Sequence, residues 1–297
     1  MLLAIDAGNR NVAVGFREGG EWQAIRHFGV SAERTADDYA MLLSSVAGIG
    51  GSATGGVSVD EAWISSVVPA LTPRLIAAVF SAFGVDAQVL GPGVKTGMKI
   101  RTDNPAEVGG DLVCAALAAR EIAYREGETA GAHLLAETVQ SPGPRLDAEE
   151  KAASRARGAK PLIVVDFGAA VAICAVNAAG EFVGVSIAPG LETAALSLHS
   201  STALIPEVRL EAPSRAIGRN TAESIRSGLV FGYAGLVERI VSLMRRELSP
   251  EAPESVLVFG TGDPEGRSIL AAAGIQRYIP DLVLEGLSLV ARKKAEG

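Results

Sequence analysis

The chain has 297 residues, of which 48% are hydrophobic and 21% charged, and these values are typical of a globular protein with two domains. Its 34 acidic and 27 basic residues give a net charge of −7, which argues against a nucleic-acid partner and against attraction to anionic membranes. No apolar run reaches the roughly 18 residues of a membrane span, so we expect no membrane partner.

The first third of the chain alternates strand and helix patterns. Residues 2–16, LLAIDAGNRNVAVGF, predict a strand, a glycine-containing turn and a second strand. The next predicted elements are a helix at 36–47, a Gly/Ser loop at 48–56, a strand at 62–69, a helix at 72–84 and a strand at 87–93. A long helix is then expected after Asn104, which can cap it, because Pro105 fits a first helical position and Glu107 has capping-box spacing.

Residues 127–160 differ in composition from the rest of the chain, because they are small and polar and carry many charges of both signs. We interpret them as an inserted surface segment between an N-terminal domain at 1–126 and a C-terminal domain at 161–297. The elements predicted after this segment are strands from 162 onwards, helices near 190–201 and 220–247, a strand within 255–263 and a last helix at 281–293.

The start of each predicted domain carries the same pattern. LIVVDFGAAVAICAV, residues 162–176, aligns without gaps with residues 2–16, so that Asp6 matches Asp166 and Gly8 matches Gly168. Chance similarity between two strands that end in Asp-x-Gly is one explanation, and duplication of an α/β domain is the other. In a duplicated fold, two such turns can hold phosphates through backbone N–H groups while the carboxylates hold a cation or its waters. The actin, hexokinase and acetate-kinase superfamily has this layout.

Six segments, taken together and in this order, resemble the type III pantothenate kinases. They are DAGNRNVAVG (6–15), SSVVPALTPRL (65–75), KTGMKIRTDNPAEVGGD (95–111), VVDFG (164–168), IAPGLETAALSLHSSTALIPEV (187–208) and IGRNTAESIRSGLVFGYAGLVERI (217–240). The resemblance implies a duplicated ribonuclease-H-like α/β fold of the actin and acetate-kinase type, with two domains around a nucleotide cleft. It also implies phosphorylation of pantothenate by ATP, which is the first step of coenzyme A biosynthesis.

The resemblance assigns roles to particular positions. Asp111 is the implied general base for the pantothenate hydroxyl; from the residues alone, it could equally be a first-turn acid favoured by the helix dipole. Implied contacts to ATP and its phosphates are Asp6, Gly8, Asn9, Arg10, Gly168, Ala169, Gly260 and Gly262, and implied substrate contacts are Gly109, Gly110, Leu112 and Thr221. Asp6 is the implied Mg²⁺ ligand, and Asp166 is the implied ligand of a monovalent cation, K⁺ or NH₄⁺. A cytoplasmic homodimer, with the helix at 220–247 in its interface, is expected.

The sequence departs from the family pattern at several of these positions. Leu112 stands where an Arg is expected, Arg10 where a Thr or Ser is usual, Ala169, Ala170, Val171 and Ala172 where a hydroxyl-rich turn is expected, and Cys174 where an Asp is common. These losses favour a catalytically silent paralogue that acts as a binding or regulatory accessory protein. Retention of Asp6, Asp111, Asp166 and Thr221 favours a pantothenate kinase, and we expect one with reduced activity. Arg10 could contact phosphate, fill the cleft and block ATP, or lie solvated at the surface.

Overall fold

The computed structural model describes residues 1–50, 58–136, 160–263, 269, 275 and 277–296. The chain divides into two compact units. Unit 1 comprises Met1–Gly97, Asn104–Ala115 and Asp281–Gly297, and unit 2 comprises Met98–Asp103 and Ala116–Pro280. These units differ from the predicted domain ranges, because the last helix of the chain belongs to unit 1. Most of the predicted insertion, residues 137–159, lies outside the described residues.

Both units are built from five strands with flanking helices. The strands are β1 (Leu2–Ala7), β2 (Asn11–Glu18), β3 (Glu21–Gly29), β4 (Glu61–Ser66), β5 (Ala87–Val89), β6 (Leu162–Phe167), β7 (Ala170–Val176), β8 (Phe182–Pro189), β9 (Leu257–Gly262) and β10 (Arg277–Tyr278). The helices are α1 (Ala36–Gly50), α2 (Thr72–Phe83), α3 (Gly110–Ala136), α4 (Leu191–Ser200), α5 (Thr221–Leu248) and α6 (Leu282–Glu296), with short 3₁₀ turns at Pro105–Glu107 and Pro253–Ser255.

The two sheets repeat one topology. The strand order is β3-β2-β1-β4-β5 in unit 1 and β8-β7-β6-β9-β10 in unit 2. In each sheet the first strand is antiparallel to the hairpin strand that follows it and parallel to the strand on its other side. Asp6 and Asp166 occupy the same penultimate position of β1 and β6. The predicted duplicated α/β fold is therefore confirmed.

The gapless alignment of the two hairpins holds only for their first strands. Four residues lie between Ala7 and its partner Val12, whereas three residues lie between Phe167 and its partner Val171. The turn after Asp166 is therefore one residue shorter than the turn after Asp6, and the alignment shifts by one position from β2 and β7 onwards.

Capping residues set where two of the helices begin or end. In unit 1, α2 begins at Thr72 and Pro73 and ends at Gly84, whose φ of 69° lets the chain leave the helix. In unit 2, the Asn220 side chain accepts a hydrogen bond from the Glu223 N–H at 2.9 Å, which starts α5 close to the predicted residue 220.

Helix α5 also contains an apolar stretch. It is long and apolar enough to cross a membrane by length and composition, and 33% of its most apolar window is buried. Val230, Val237 and Val241 on this helix are buried, and the latter two pack in the core of unit 2. A core helix of a soluble protein meets the same criterion, so α5 is weak support for a membrane span.

Candidate active site

The turn after β1 is held by its own backbone. The Gly8 N–H donates to the Asn11 carbonyl at 3.0 Å, and the Arg10 carbonyl accepts from the Val30 N–H at 2.7 Å. A Cβ at Gly8 would lie 3.3 Å from the Asn11 carbonyl oxygen, so the turn is tight at this point. Asn9 is exposed and Arg10 is half-buried, which leaves two polar side chains on a fixed backbone at the end of the strand that carries Asp6.

Asp111 lies in the first turn of α3, and its environment is unusual for an acid at a helix start. Its Oδ1 is buried and has no hydrogen-bond partner among the described residues. Burial raises the pKa of Asp111 above the ordinary value of 3.8, while the backbone N–H groups of Leu112 and of Asp111 itself oppose the shift. A side chain at Gly109 would collide with the Asp111 carboxylate, so the glycine permits this carboxylate position. A carboxylate with one buried oxygen that has no hydrogen-bond partner among the described residues can accept a proton from a ligand.

The charges of two of the predicted site residues influence the thiol of Cys114. Cys114 lies one turn after Asp111 on α3 and is fully buried. Burial raises the pKa of the Cys114 thiol well above its ordinary value, and the charges of Asp6 and Asp111 raise it further. Both carboxylates therefore act on the same buried atom of unit 1. With its pKa raised, Cys114 stays a thiol and is not a nucleophile.

Ser65 is a candidate site residue that the sequence reasoning missed. It lies on β4 directly opposite Asp6, is fully buried, and its Oγ has no hydrogen-bond partner among the described residues. Thr261 occupies the equivalent position opposite Asp166 in unit 2 and is 2% exposed. Each acid thus has a buried hydroxyl residue as its cross-strand neighbour. Extending the internal alignment to the next parallel strand would have paired residues 64–66 with 260–262. That pairing would have shown a hydroxyl residue at the same position of both strands.

In unit 2, Gly262 lets strand β9 approach Asp166 closely. Gly262 has a φ of 88°, and a Cβ there would lie 2.5 Å from the Asp166 Oδ1 and 2.9 Å from the Phe167 carbonyl carbon. The Asp263 N–H donates to the Phe167 carbonyl at 2.6 Å, and the Tyr278 hydroxyl donates to the Gly262 carbonyl. The two glycines predicted in a nucleotide-binding turn differ in position, because Gly260 is buried inside β9 and only Gly262 ends the strand.

The turn after Asp166 is tied to the start of α4. The Ala169 carbonyl accepts from the Gly190 N–H at 2.9 Å and from the Thr193 hydroxyl at 2.7 Å. The Gly168 N–H donates to the Ala170 carbonyl at 2.9 Å. A Cβ at Gly190 would lie 2.7 Å from the Ala169 carbonyl oxygen, so only glycine allows this approach. The backbone holds this turn in place although its side chains carry no hydroxyl.

The remaining predicted positions lie in ordinary surroundings. Leu112 is 9% exposed and belongs to the apolar interior next to Asp111. Thr221 is exposed at the first residue of α5, and Cys174 is buried in β7. A side chain at Gly110 would lie 3.1 Å from the Leu90 side chain, so this glycine permits packing of the α3 start on residue 90.

Oxygen donors in unit 1 fit a magnesium ion. Within the described ranges, no group of three or more His, Cys, Asp or Glu residues could hold a metal by itself. Mg²⁺ bound with a nucleotide needs only one or two carboxylates, because phosphates and waters complete its octahedron. Asp6 and the buried Ser65 hydroxyl opposite it supply oxygen donors of this kind.

Comparison with known proteins gives a consistent result over the whole chain. The sequence model of the family described as type III pantothenate kinase matches residues 2–131 and 148–243. A protein named type III pantothenate kinase 2 from Symbiobacterium thermophilum is 35% identical over 290 residues, which cover 98% of this chain and 96% of that protein. A type III pantothenate kinase from Geobacter sulfurreducens is 35% identical over 301 residues, which cover 100% of both.

Among solved structures, a protein from Campylobacter jejuni described as a conserved Baf family transcriptional activator has the same fold. The TM-score is 0.50 at 13% sequence identity, and the match covers 99% of this chain and 100% of that one. At this identity the likeness concerns the fold alone.

Proposed function

Because this chain belongs to the type III pantothenate kinase family, we propose that it transfers the γ-phosphoryl group of ATP to pantothenate and so forms 4′-phosphopantothenate. This reaction opens coenzyme A biosynthesis. One observation carries the proposal from the family to these residues: in the first turn of α3, the buried Asp111 Oδ1 has no hydrogen-bond partner among the described residues.

Asp111 is proposed as the general base. Phosphoryl transfer asks a protein mainly for in-line positioning and charge stabilisation, so one well-placed carboxylate suffices to accept the proton of the attacking hydroxyl. The raised pKa of Asp111 brings its basicity closer to that needed for proton transfer near neutral pH.

The two acidic turns are proposed to hold the ions. Asp6, with Ser65 beside it, would hold Mg²⁺, and the ion would neutralise charge on the ATP phosphates. Asp166, with Thr261 beside it and Gly262 against it, would hold K⁺ or NH₄⁺ in unit 2. Backbone N–H groups next to Gly8 and Gly168, whose own N–H groups bond within the turns, would contact phosphate oxygens.

The protein is proposed to act as a cytoplasmic homodimer. Phe231 and Leu243 are exposed apolar side chains on α5, and a Cβ added at Gly228, Gly232 or Gly235 of this helix would meet nothing within 4 Å. Such a surface allows close approach of a second helix. The alternative, a silent accessory paralogue, is less favoured because relatives that match over the full length carry the kinase name.

The proposal is tested with purified protein, ATP, pantothenate, Mg²⁺ and K⁺, with phosphopantothenate as the measured product. We expect turnover by the native chain and a loss of about 10²- to 10⁴-fold in kcat for Asp111→Asn, the usual contribution of a general base. Asp37→Asn is the matched control, because Asp37 is also a first-turn acid but is exposed on α1. Product formation no faster than a blank without protein would favour the paralogue. Equal activity of the two variants would remove Asp111 from the mechanism.

A further inference from the structure

We propose that the C-terminal helix α6 is a positioning element for the Asp111 carboxylate, acting through a backbone contact between Gly286 and Cys114. The inference rests on the proposed function for its meaning in catalysis. Its structural part, the control of the Asp111 environment by α6, is measurable without turnover. All residues involved belong to unit 1.

The contact between α6 and α3 is made at backbone level. A Cβ at Gly286 would lie 2.5 Å from the Cys114 carbonyl carbon and 2.6 Å from the Cys114 Cα, distances that no real Cβ adopts. Cys114 follows Asp111 by one turn of α3, and both Asp6 and Asp111 act on its thiol. The Gly286 backbone therefore contacts α3 one turn after the proposed base.

Helix α6 is anchored at its first turn by Glu285, the neighbour of Gly286. One Glu285 carboxylate oxygen accepts from Arg17 Nη1 at 2.7 Å, and the other accepts from Trp22 Nε1 at 2.5 Å. The Arg17 guanidinium also donates to the Ser288 hydroxyl at 2.6 Å and lies 5.0 Å from the Trp22 ring centroid. Glu285 and Arg17 are 32% and 14% exposed, so this pair is only partly screened by water.

The other end of α6 is anchored on the loop that precedes α3. Lys293 Nζ donates to the Thr96 carbonyl at 3.3 Å, and its chain passes over Gly97, where a Cβ would lie 3.1 Å from the Lys293 Cε. Lys294 donates to the Gln88 side chain and lies 5.5 Å from the Trp63 ring centroid. Both ends of α6 are therefore held on unit 1, so we expect a side chain added at Gly286 to displace α3.

Gly286→Ala tests the inference, because it adds one methyl group at the contact and changes no charge. Displacement of α3 should admit water to Asp111 and lower its raised pKa, because burial is the main cause of the shift. The titratable groups acting around this point are Asp6, Asp111 and Cys114. We expect kcat to fall about 10- to 100-fold with a smaller change in KM for ATP, as for an angstrom-scale misplacement of a reacting group. The acid limb of the kcat profile should move to lower pH.

The matched control is Gly48→Ala. Gly48 also lies in a helix of unit 1, but a Cβ there would meet nothing within 4 Å. Glu285→Gln is the second variant, because it weakens the Arg17 anchor without adding volume at the contact. It should move the acid limb of the pH profile of kcat to lower pH, by less than Gly286→Ala does. It also keeps the inference testable if Gly286→Ala does not fold.

The pKa of Asp111 is followed directly by ¹³C NMR of labelled aspartate, with its resonance assigned by its loss in Asp111→Asn. A lower Asp111 pKa in Gly286→Ala and Glu285→Gln, unchanged in Gly48→Ala, would support the inference. An unchanged pKa in folded Gly286→Ala, or equal shifts in all three variants, would overturn it. Absence of turnover in the native chain would overturn the proposed function alone, because the NMR titration does not depend on turnover.

Discussion

Gly262→Ala is expected to destabilise unit 2 and disturb the Asp166 carboxylate together. Gly262 ends β9 at a φ of 88°, a backbone conformation that an alanine adopts only with strain. The added Cβ would also lie 2.5 Å from the Asp166 Oδ1 and 2.9 Å from the Phe167 carbonyl carbon. Phe167 cannot move freely, because its backbone pairs with Val171 on one side and Gly262 on the other.

Two contributions set the size of the effect. The positive φ costs about 1–2 kcal/mol for a residue with a Cβ. Forcing a methyl group into a packed position costs about 1–3 kcal/mol more. The free energy of unfolding should therefore fall by about 2–5 kcal/mol, which for a unit of this size corresponds to a Tm lower by roughly 5–15 °C.

Gly184→Ala provides the comparison for this prediction. Gly184 is also in a strand of unit 2, on β8, but it has no positive φ and an added Cβ would meet nothing within 4 Å. Calorimetric unfolding should show a large loss of Tm for Gly262→Ala. For Gly184→Ala, the free energy of unfolding should change by no more than about 1 kcal/mol. If the two variants unfolded at the same temperature, the close approach of β9 to Asp166 would be wrong. If Asp166 holds K⁺ as proposed, the dependence of turnover on K⁺ should weaken only in Gly262→Ala.

Two further predictions concern buried polar groups of unit 1. Ser65→Ala removes a hydroxyl without a partner among the described residues, so Tm should stay equal or rise. If the hydroxyl contacts a ligand, kcat/KM should fall about fivefold, and unchanged kinetics would make Ser65 structural. The pKa of Asp111 is higher in the folded protein than the unfolded value of 3.8. Ionisation of Asp111 therefore destabilises the fold as pH rises from 3.8 through the folded pKa, and has no effect below 3.8. Asp111→Asn should therefore raise Tm near neutral pH and leave it unchanged at pH values below 3.8, and a constant difference across pH would contradict the buried state of this carboxylate.

The fold was predictable where the signal is local. The apolar runs that lead into Asp6 and Asp166 specify β1 and β6, and the Asp-x-Gly that follows each marks the turn. The one-residue difference between the two turns was hidden, because β2 and β7 are buried on both faces. A strand without alternation of polar and apolar residues carries no mark of its register.

The site was predictable only in part, because some of its residues are brought together by elements that are far apart in the sequence. Ser65 becomes a neighbour of Asp6 only when β4 pairs with β1, and the position of Gly286 against Cys114 depends on the return of α6 to unit 1. Strand β3 was also missed, because half of its pattern is exposed and it forms by extending the β1–β2 hairpin. None of these signals is present in a short window of sequence.

The loss of hydroxyls after Asp166 is less damaging than the sequence suggested. Of the four substituted positions, Ala170, Val171 and Ala172 lie in β7, and Val171 and Ala172 are 1% and 7% exposed. A hydroxyl at those two positions would be buried in the sheet, so only Ala169 and Ala170 can have cost the turn a ligand contact. Two neutral contacts correspond to about 2 kcal/mol, or roughly 30-fold, where four would give about 4 kcal/mol. Since the Ala169 backbone is still held by Gly190 and Thr193, the turn keeps its shape, and this favours a slower kinase over a silent one.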